Sequence, residues 1–371
     1  MKDTKRVIVL GATGSIGKSS LDVIRSNPDA FTVAGLSAHS DMRALSALRE
    51  EFPAASSVLS GTDGEPALLA MIRDTGADVV VNGIAGASGL LPSVAALESG
   101  KDLALANKET VVMAGPLIRS LADRTGRAIL PVDSEHSAVF SLIEAYGHDA
   151  VSEIILTASG GPFRTWDEDR IRSATPADAL RHPTWSMGSK ITIDSASLAN
   201  KGLEVIEAVR LFGLSPDAVK VVVHPESLVH SFIRTRDGVL YAQVSHPDMR
   251  HPILSALFWP KPQDNDLRPL SFDEAFSMHF EPPRRQAFPM LALAYRAASL
   301  GCLYPVCYNA ANEIAVECFL AGSLPFGGIP ELVALVMDGD WSTEPSNFGD
   351  VLEADRRARG IARQYVKERA W

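Results

Sequence analysis

Apolar residues fall into short runs separated by helical stretches through the first third of the chain. Residues 6–10 are apolar and β-branched and read as a strand, followed by a glycine loop and a helix over 18–27. Residues 31–38, 79–82, 102–106 and 128–131 read as further strands, with helices over 43–51 and 90–100. Strands that alternate with helices imply βαβ units and a parallel sheet. Beyond Asp133 the texture changes. A helix over 137–146 precedes a strand over 153–158, then a Gly-Pro loop and a polar stretch to Pro183. Residues 191–193 read as strand, 203–212 as helix, and 221–223, 229–235 and 239–245 as strands of one sheet. Arg236-Asp237-Gly238 forms the hairpin turn between the last two strands. Residues 260–285 are rich in Pro and charge with weak periodicity, which predicts a linker. From 286 onward the spacing is helical over 290–299, 309–321, 329–337 and 348–369, as in a small bundle.

This pattern divides the chain into an α/β domain of Rossmann-like strand–helix alternation (1–132) and an α+β domain (133–259). A linker (260–285) and a C-terminal helical bundle (286–371) follow. The length of 371 residues agrees with more than one core. The chain is 46% hydrophobic and 22% charged, as expected of a globular protein outside the membrane. No apolar run approaches the roughly 18 residues of a membrane span. Residues 1–6 are polar and lead into a strand, so no signal or transit peptide is expected and the setting is cytoplasmic. Cys302, Cys307 and Cys318 lack zinc spacing and read as reduced, packed thiols. A net charge of −10 without a basic run argues against nucleic acid as a partner. An anionic substrate must then be held by a few local cations.

Gly11-Ala12-Thr13-Gly14-Ser15-Ile16-Gly17 follows the first strand and opens the first helix. Glycines there let the backbone approach a pyrophosphate, which the helix N-terminus receives. Gly17-Lys18-Ser19 lacks the glycine spacing of a nucleoside-triphosphate loop, because position 12 is alanine. The choice between NAD and NADP falls to the end of the second strand, Ala38-His39-Ser40-Asp41-Met42-Arg43. Here His39, Ser40 and Arg43 suit a 2′-phosphate and Asp41 a 2′-hydroxyl. The residues by themselves leave that choice open.

Two carboxylates, Asp133 and Glu135, lie two residues apart at a strand end and are expected to project together. Converging carboxylates repel unless a cation separates them, and oxygen donors suit magnesium or manganese. In Asn200-Lys201-Gly202-Leu203-Glu204, a helix beginning near Asn200 places Asn200, Lys201 and Glu204 on one face. A solvated strand end and a capped helix are the plainer readings of these two motifs. Ser159-Gly160-Gly161-Pro162-Phe163-Arg164 suits an oxyanion, or forms a structural turn. Asp194-Ser195-Ala196-Ser197 adds hydroxyls. His182-Pro183-Thr184-Trp185-Ser186-Met187-Gly188 is either a core plug or a closing lid. Lys108, in Asn107-Lys108-Glu109, sits at another strand end. His224 and His230 read as packed histidines, and Asp248-Met249-Arg250 as a turn or a substrate-side loop.

Taken together, these motifs resemble the 1-deoxy-D-xylulose 5-phosphate reductoisomerase family. The resemblance also takes in Pro131-Val132-Asp133-Ser134-Glu135-His136, His224-Pro225, Pro247-Asp248-Met249-Arg250 and Asn309-Ala310-Ala311-Asn312-Glu313. It spans nearly the whole chain in the family's order. It implies magnesium or manganese on Asp133, Glu135 and Glu204. Substrate phosphate would lie on Ser159, Ser195, Asn200 and Lys201, with His182 nearby, and the substrate's hydroxyl and carbonyl region at Ser134 and Lys108. It implies NADPH on Thr13, Gly14, Ser15 and Ile16, with Ala38, His39 and Ser40 towards the 2′-phosphate. Asn107, Glu109, Met187 and Gly188 would complete the cofactor site, under a lid carrying Trp185. It further implies a homodimer that rearranges and reduces 1-deoxy-D-xylulose 5-phosphate to 2-C-methyl-D-erythritol 4-phosphate, by retro-aldol cleavage and re-addition or by a ketol shift. His39-Ser40-Asp41 stands where the family commonly has a Gly-Lys-Asn-like turn, and Ser245-His246 also departs from its pattern. A simple sugar-phosphate dehydrogenase would need no carbon migration. A nucleotide-sensing protein would leave the carboxylates, the hydroxyl-lysine cluster and the tryptophan unexplained.

Overall fold

The computed structural model describes residues 4–185, 187–369 and 371; Ser186 of the lid motif lies outside the described residues. The chain forms two compact units, and each is described by itself. The first comprises Met1–Thr110, Ile118–Ser137 and Asp248–Arg268. Its strands are β1 (Lys5–Leu10), β2 (Phe31–Ala38), β3 (Ser56–Leu59), β4 (Val79–Asn82), β5 (Asp102–Leu105) and β6 (Ile129–Pro131). They form one sheet in the order β3-β2-β1-β4-β5-β6, with every pairing parallel. Val7 to Leu10 and Val79 to Val81 are buried, as central strands covered on both faces require. This doubly wound order reverses direction between β1 and β4, the point at which open α/β sheets bind their ligands, outside the strands' carboxyl ends. The helix Arg250–Phe258 returns to this unit: Phe258 packs on Phe31 with ring centroids 4.7 Å apart, and Lys5 Nζ donates to Leu257 O at 2.9 Å.

The second unit comprises Val111–Leu117, Ala138–Pro247 and Pro269–Trp371. Its sheet has four strands: β7 (Val151–Ala158), β8 (Val219–Val223), β9 (Val229–Thr235) and β10 (Leu240–Val244). Their order is β10-β9-β7-β8, with only the β7–β8 pairing parallel. The C-terminal helices are Pro289–Leu300, Tyr304–Leu320, Gly328–Met337 and Phe348–Glu368. Tyr304–Leu320 is buried along most of its length, including Asn309 and Asn312.

Two local readings are corrected. Residues 191–193 lie in the helix Ser189–Ala196, not a strand. Thr192, Ile193 and Ala196 are buried at helical spacing, and a β-branched run of three residues carries too little pattern to exclude helix. The helix expected from 137 begins at Ser134, so Asp133 and Glu135 do not share an extended strand. Within the linker expected over 260–285, two residues are held in place. Glu281 and Val223 exchange backbone hydrogen bonds of 2.8 Å, and His279 Nδ1 lies 2.5 Å from Glu226 Oε1. The strand β3, the long helix Ser60–Asp74 and the helix Arg250–Phe258 were not anticipated.

Candidate active site

The glycine loop lies at the carboxyl end of β1, at the reversal point of the sheet. Gly11 has φ +70°, and a Cβ there would fall 2.9 Å from Gly83 O beyond β4. At Gly17 a Cβ would fall 2.3 Å from Gly11 O and 2.4 Å from Ala12 Cα, so only glycine lets the helix pack this close to the loop. Gly14 precedes the helix Ser15–Ser26 and supplies no side-chain cap. Gly14 and Ser15 are exposed, with Thr13 and Ile16 half-buried beside them. An uncapped helix start with small residues in front suits a phosphate. Ala38 is buried at the end of β2, whereas His39 and Ser40 are exposed. Asp41, ambiguous in sequence, caps the helix Met42–Glu51 by accepting from Ala44 N at 2.9 Å. These residues fit a dinucleotide.

At β5 and β6, charged groups gather in the same unit. Asn107 is buried and caps the helix Lys108–Thr125. Its Oδ1 accepts from Thr110 N at 2.9 Å, while its Nδ2 donates to Ile84 O at 2.7 Å and Gly86 O at 2.8 Å. It also donates to Glu109 Oε2 at 3.1 Å, which ties Glu109 to the residue that holds the loop after β4. Lys108, itself buried, points its Nζ at Asp133 Oδ2, 2.7 Å away. Asp133 Oδ1 accepts from Glu135 N at 3.2 Å and lies 3.1 Å from His136 Nδ1. Ser134 Oγ donates to Glu135 Oε2 at 2.6 Å. Asp133 and Glu135 are thus brought together by a helix start rather than by strand alternation.

The second unit gathers the hydroxyls and the remaining carboxylate. Ser159 follows β7 ahead of two glycines in left-handed conformation, Gly160 at φ +84° and Gly161 at φ +66°. A Cβ on Gly161 would fall 2.7 Å from Ser195 O, which keeps the two serine segments in close register. His182 Nε2 lies 3.1 Å from Ser159 Oγ and 3.0 Å from Ser195 Oγ. Its Nδ1 accepts from Thr184 N at 3.1 Å and Trp185 N at 2.9 Å. With Nδ1 accepting, the proton of the neutral ring sits on Nε2, facing the serines. Burial pushes the His182 pKa below its ordinary value, which favours that neutral ring. Trp185 and Met187 are half-buried, and Gly188 precedes the helix that carries Ser195.

The helix Ala199–Phe212 delivers the anticipated face. Asn200 Nδ2 donates to Glu204 Oε1 at 2.6 Å, and Lys201 Nζ pairs with Glu204 Oε2. Lys201 is 4% exposed and Glu204 1%. Gly202 faces the other way, where a Cβ would fall 2.6 Å from Tyr308 Oη. Burying a carboxylate is costly without a counter-charge, and Lys108 and Lys201 supply one in each unit. The donors are carboxylate oxygens, the set a hard divalent cation takes, so the residues fit magnesium or manganese. His224 is packed, stacked on Phe280 with centroids 4.5 Å apart, and its Nε2 accepts from Leu228 N at 3.1 Å. His230 is buried and lies against Ser245 Oγ. Asp248 and Arg250 form a local ion pair of 2.6 Å. The three cysteines are free thiols. Sequence reasoning missed the buried contacts behind the serines, described below, because their partners lie far apart in the chain.

A pH test follows from the imidazole. Because the folded value is depressed, the order it confers is fully present above the unfolded pKa, about 6.5, and lost as pH falls through the folded value. Amide-exchange protection of Thr184 and Trp185, corrected for intrinsic rates, is expected to drop as pH is lowered through the folded value, below the ordinary one. In His182→Gln it should be low throughout. A flat wild-type profile would show that Nδ1 does not hold this segment.

A doubly wound sheet with a bare glycine loop at its reversal point, accompanied by lysine-paired carboxylates and a serine–histidine cluster, defines a dinucleotide-dependent oxidoreductase. Comparison with known proteins narrows this class. Profiles described as 1-deoxy-D-xylulose 5-phosphate reductoisomerase match residues 7–63 and 46–115. Those described as its C-terminal domain and as DXP reductoisomerase C-terminal domain match 129–212 and 244–361. The 1-deoxy-D-xylulose 5-phosphate reductoisomerase of Treponema denticola is 47% identical over 373 residues, covering 98% of each chain. A crystal structure of DOX-P reductoisomerase in complex with NADPH, fosmidomycin and magnesium superimposes with a TM-score of 0.89 at 35% identity, covering 98% of each chain. The Zymomonas mobilis enzyme in complex with NADPH gives 0.88 at 37% identity, over 98% of this chain and 99% of that one. The chain belongs to the 1-deoxy-D-xylulose 5-phosphate reductoisomerase family.

Proposed function

We propose that this chain is an NADPH- and divalent-cation-dependent reductoisomerase that converts 1-deoxy-D-xylulose 5-phosphate to 2-C-methyl-D-erythritol 4-phosphate, in non-mevalonate isoprenoid precursor synthesis. The observation that carries the reading is the helix start at Asn200. There an amide, an ammonium and a buried carboxylate share one face in a chain 47% identical to a reductoisomerase over nearly its full length. Ser159, Ser195, Asn200 and Lys201 bind the substrate phosphate, with the His182 Nε2 proton shared between the two serine hydroxyls. Asp133, Glu135 and Glu204 hold magnesium or manganese, which when bound supplies Lewis acidity to the ketose carbonyl and its neighbouring hydroxyl. Lys108 and Ser134 orient that end of the substrate.

The loop Thr13 to Ile16 receives the NADPH phosphates, and Ala38, His39 and Ser40 flank its 2′-phosphate. Asp41 spends one carboxylate oxygen on its helix cap. Asn107 and Glu109 act through the loop after β4, and Met187 and Gly188 lie towards the nicotinamide. Trp185 belongs to a lid that excludes water during hydride transfer. Phosphate binding far from the reacting carbons contributes orientation. The functional division at 132, 259 and 285 and a cytoplasmic setting belong to the same reading. Among the described residues no helix is long and apolar enough to cross a membrane.

NADPH oxidation with the ketose phosphate, with and without magnesium and with NADH in parallel, tests this reading. A product with a branched carbon skeleton by NMR is expected. An unrearranged product would favour a simple dehydrogenase, and no oxidation in any arm would refute the proposal.

A homodimer is part of the proposal, and β10 supports it. This strand closes one edge of its sheet, with Leu240 and Val244 exposed and Val239 exposed just before it. An apolar edge strand is costly to leave in water and ready to pair. Leu240→Lys with Val244→Lys is expected to shift sedimentation from dimer to monomer. An unchanged profile would exclude β10 from the interface.

A further inference from the structure

Asn309-Ala310-Ala311-Asn312-Glu313 belongs to the family resemblance, yet its polar side chains have no part in the site described so far. The stretch lies on the buried helix Tyr304–Leu320. Asn312 is fully buried, and its Nδ2 donates to Asp194 Oδ1 at 2.8 Å across 118 positions of sequence. The opposite amide orientation would set the Asn312 carbonyl against a carboxylate, so the chemistry fixes Asn312 as the donor. Asp194 is 1% exposed, and Lys190 Nζ, one helical turn back, lies 2.9 Å from its other oxygen. The residue after Asp194 is Ser195, whose hydroxyl meets His182 and whose carbonyl lies against Gly161.

The same helix also supports the start of the next segment. Tyr308 Oη donates to Met290 O at 3.2 Å and lies 3.5 Å from Ala199 O, directly before Asn200 and Lys201. It also fills the space beside Gly202. One turn of one helix therefore stands behind both chain segments that present Ser195 and the Asn200–Lys201 pair. A charge-assisted hydrogen bond in a dry interior is directional and strong enough to fix a helix end.

We propose that Asn312 is a positioning residue for phosphate recognition: through Asp194 it sets Ser195 in place relative to Asn200 and Lys201. The proposal rests on the assignment of Ser195, Asn200 and Lys201 to the substrate phosphate and names what holds them. Asn312 touches no reacting group, so its effect falls on the binding of the phosphate and not on hydride transfer or on the cofactor.

The test uses the full-length enzyme and inorganic phosphate as the probe, a competitive inhibitor against the ketose phosphate. Asn312→Leu keeps the volume and removes the donor. Its inhibition constant for phosphate and its KM are expected to rise about tenfold, the size of one charge-assisted hydrogen bond. Turnover at saturation and NADPH affinity, read by nicotinamide fluorescence, should stay within about twofold. A lowered melting temperature with unchanged phosphate inhibition would reduce Asn312 to a structural residue and overturn the proposal. So would an equal loss in phosphate and NADPH binding.

A second pair covers the case in which Asn312→Leu does not fold. Asn312→Asp puts two carboxylates face to face and should weaken phosphate binding. Asp194→Asn combined with Asn312→Asp restores a donor–acceptor pair of reversed polarity and should recover most of it. No recovery in the double variant would count against the proposal. Wild-type enzyme whose activity is insensitive to phosphate would instead refute the underlying site assignment, which separates the two failures.

Discussion

Replacing Glu204 by glutamine is expected to lower turnover by roughly three orders of magnitude, about 4 kcal/mol of transition-state stabilisation, with NADPH affinity changed less than about twofold. The side chain is 1% exposed, and both its oxygens are engaged, one by Asn200 Nδ2 at 2.6 Å and the other by Lys201. Glutamine keeps the shape and removes the charge. Its amide nitrogen then takes the place of an oxygen that now accepts from the Asn200 amide or the Lys201 ammonium, so at least that bond must be remade, and removing one partner of a buried ion pair costs about 3–5 kcal/mol. The neutral amide is also a poor ligand for a hard cation. Turnover, NADPH fluorescence titration and Mn²⁺ binding by electron paramagnetic resonance should therefore separate: the first and third collapse and the second holds. Near-normal turnover with near-normal Mn²⁺ affinity would remove Glu204 from the cation site. Glu204→Asp, which restores the charge one carbon short, should recover part of the Mn²⁺ affinity.

The sequence made some of this arrangement plain and hid the rest, for physical reasons. Strands β2, β4 and β9 were legible to the residue because their apolar runs end sharply at turn-forming residues. The Asn200 to Glu204 face was legible because helical spacing is a local rule. Asp133 and Glu135 come together as expected, but through a different backbone geometry. Alternation on a strand and the first turn of a helix both bring such residues together, and the backbone chose the helix. Asp133, followed by a polar Ser-Glu-His, is itself a helix-start signal that the strand reading overrode. At Asp41 the reverse held: a carboxylate that pointed towards ribose chemistry gives one oxygen to its own helix cap. The Asn312–Asp194 bond left no trace a local reading could use, since 118 residues separate its members. Residues 191–193 misled because three residues cannot distinguish periods of 2 and 3.6.

Charge explains how an acidic chain can serve an anionic substrate. With a net charge of −10, nothing in the overall field attracts a phosphate ester. The cations that matter are buried and paired: Lys108 with Asp133 in one unit, Lys201 with Glu204 in the other. Each lysine holds a carboxylate in a dry setting, and each carboxylate holds a lysine. On the proposed site assignment, recognition would rely on short-range directed groups, including the serine hydroxyls joined through His182.

Gly17→Ala is expected to raise the dissociation constant for NADPH about a hundredfold and to lower the melting temperature by several degrees, whereas Gly14→Ala should leave stability within about 1 °C of wild type. The contrast follows from the space around each residue. A methyl group at Gly17 would fall 2.3 Å from Gly11 O and 2.4 Å from Ala12 Cα, both backbone atoms that no rotamer change can move aside. Relief requires the helix Ser15–Ser26 to lift away from the loop, at a cost of about 1–3 kcal/mol for overpacking, and that displacement carries the phosphate-facing N–H groups with it. At Gly14 the backbone is extended, with φ −81° and ψ 178°, and the nearest atom to an added Cβ is 3.3 Å away. The Gly11 oxygen need give by only a few tenths of an ångström, so the larger effect of Gly14→Ala is expected on the approach of the cofactor. Fluorescence titration with NADPH and thermal melts on both variants read the two effects apart. If Gly17→Ala bound NADPH as wild type does, the helix start could not be the seat of the cofactor phosphates, and the dinucleotide would have to lie elsewhere on the sheet.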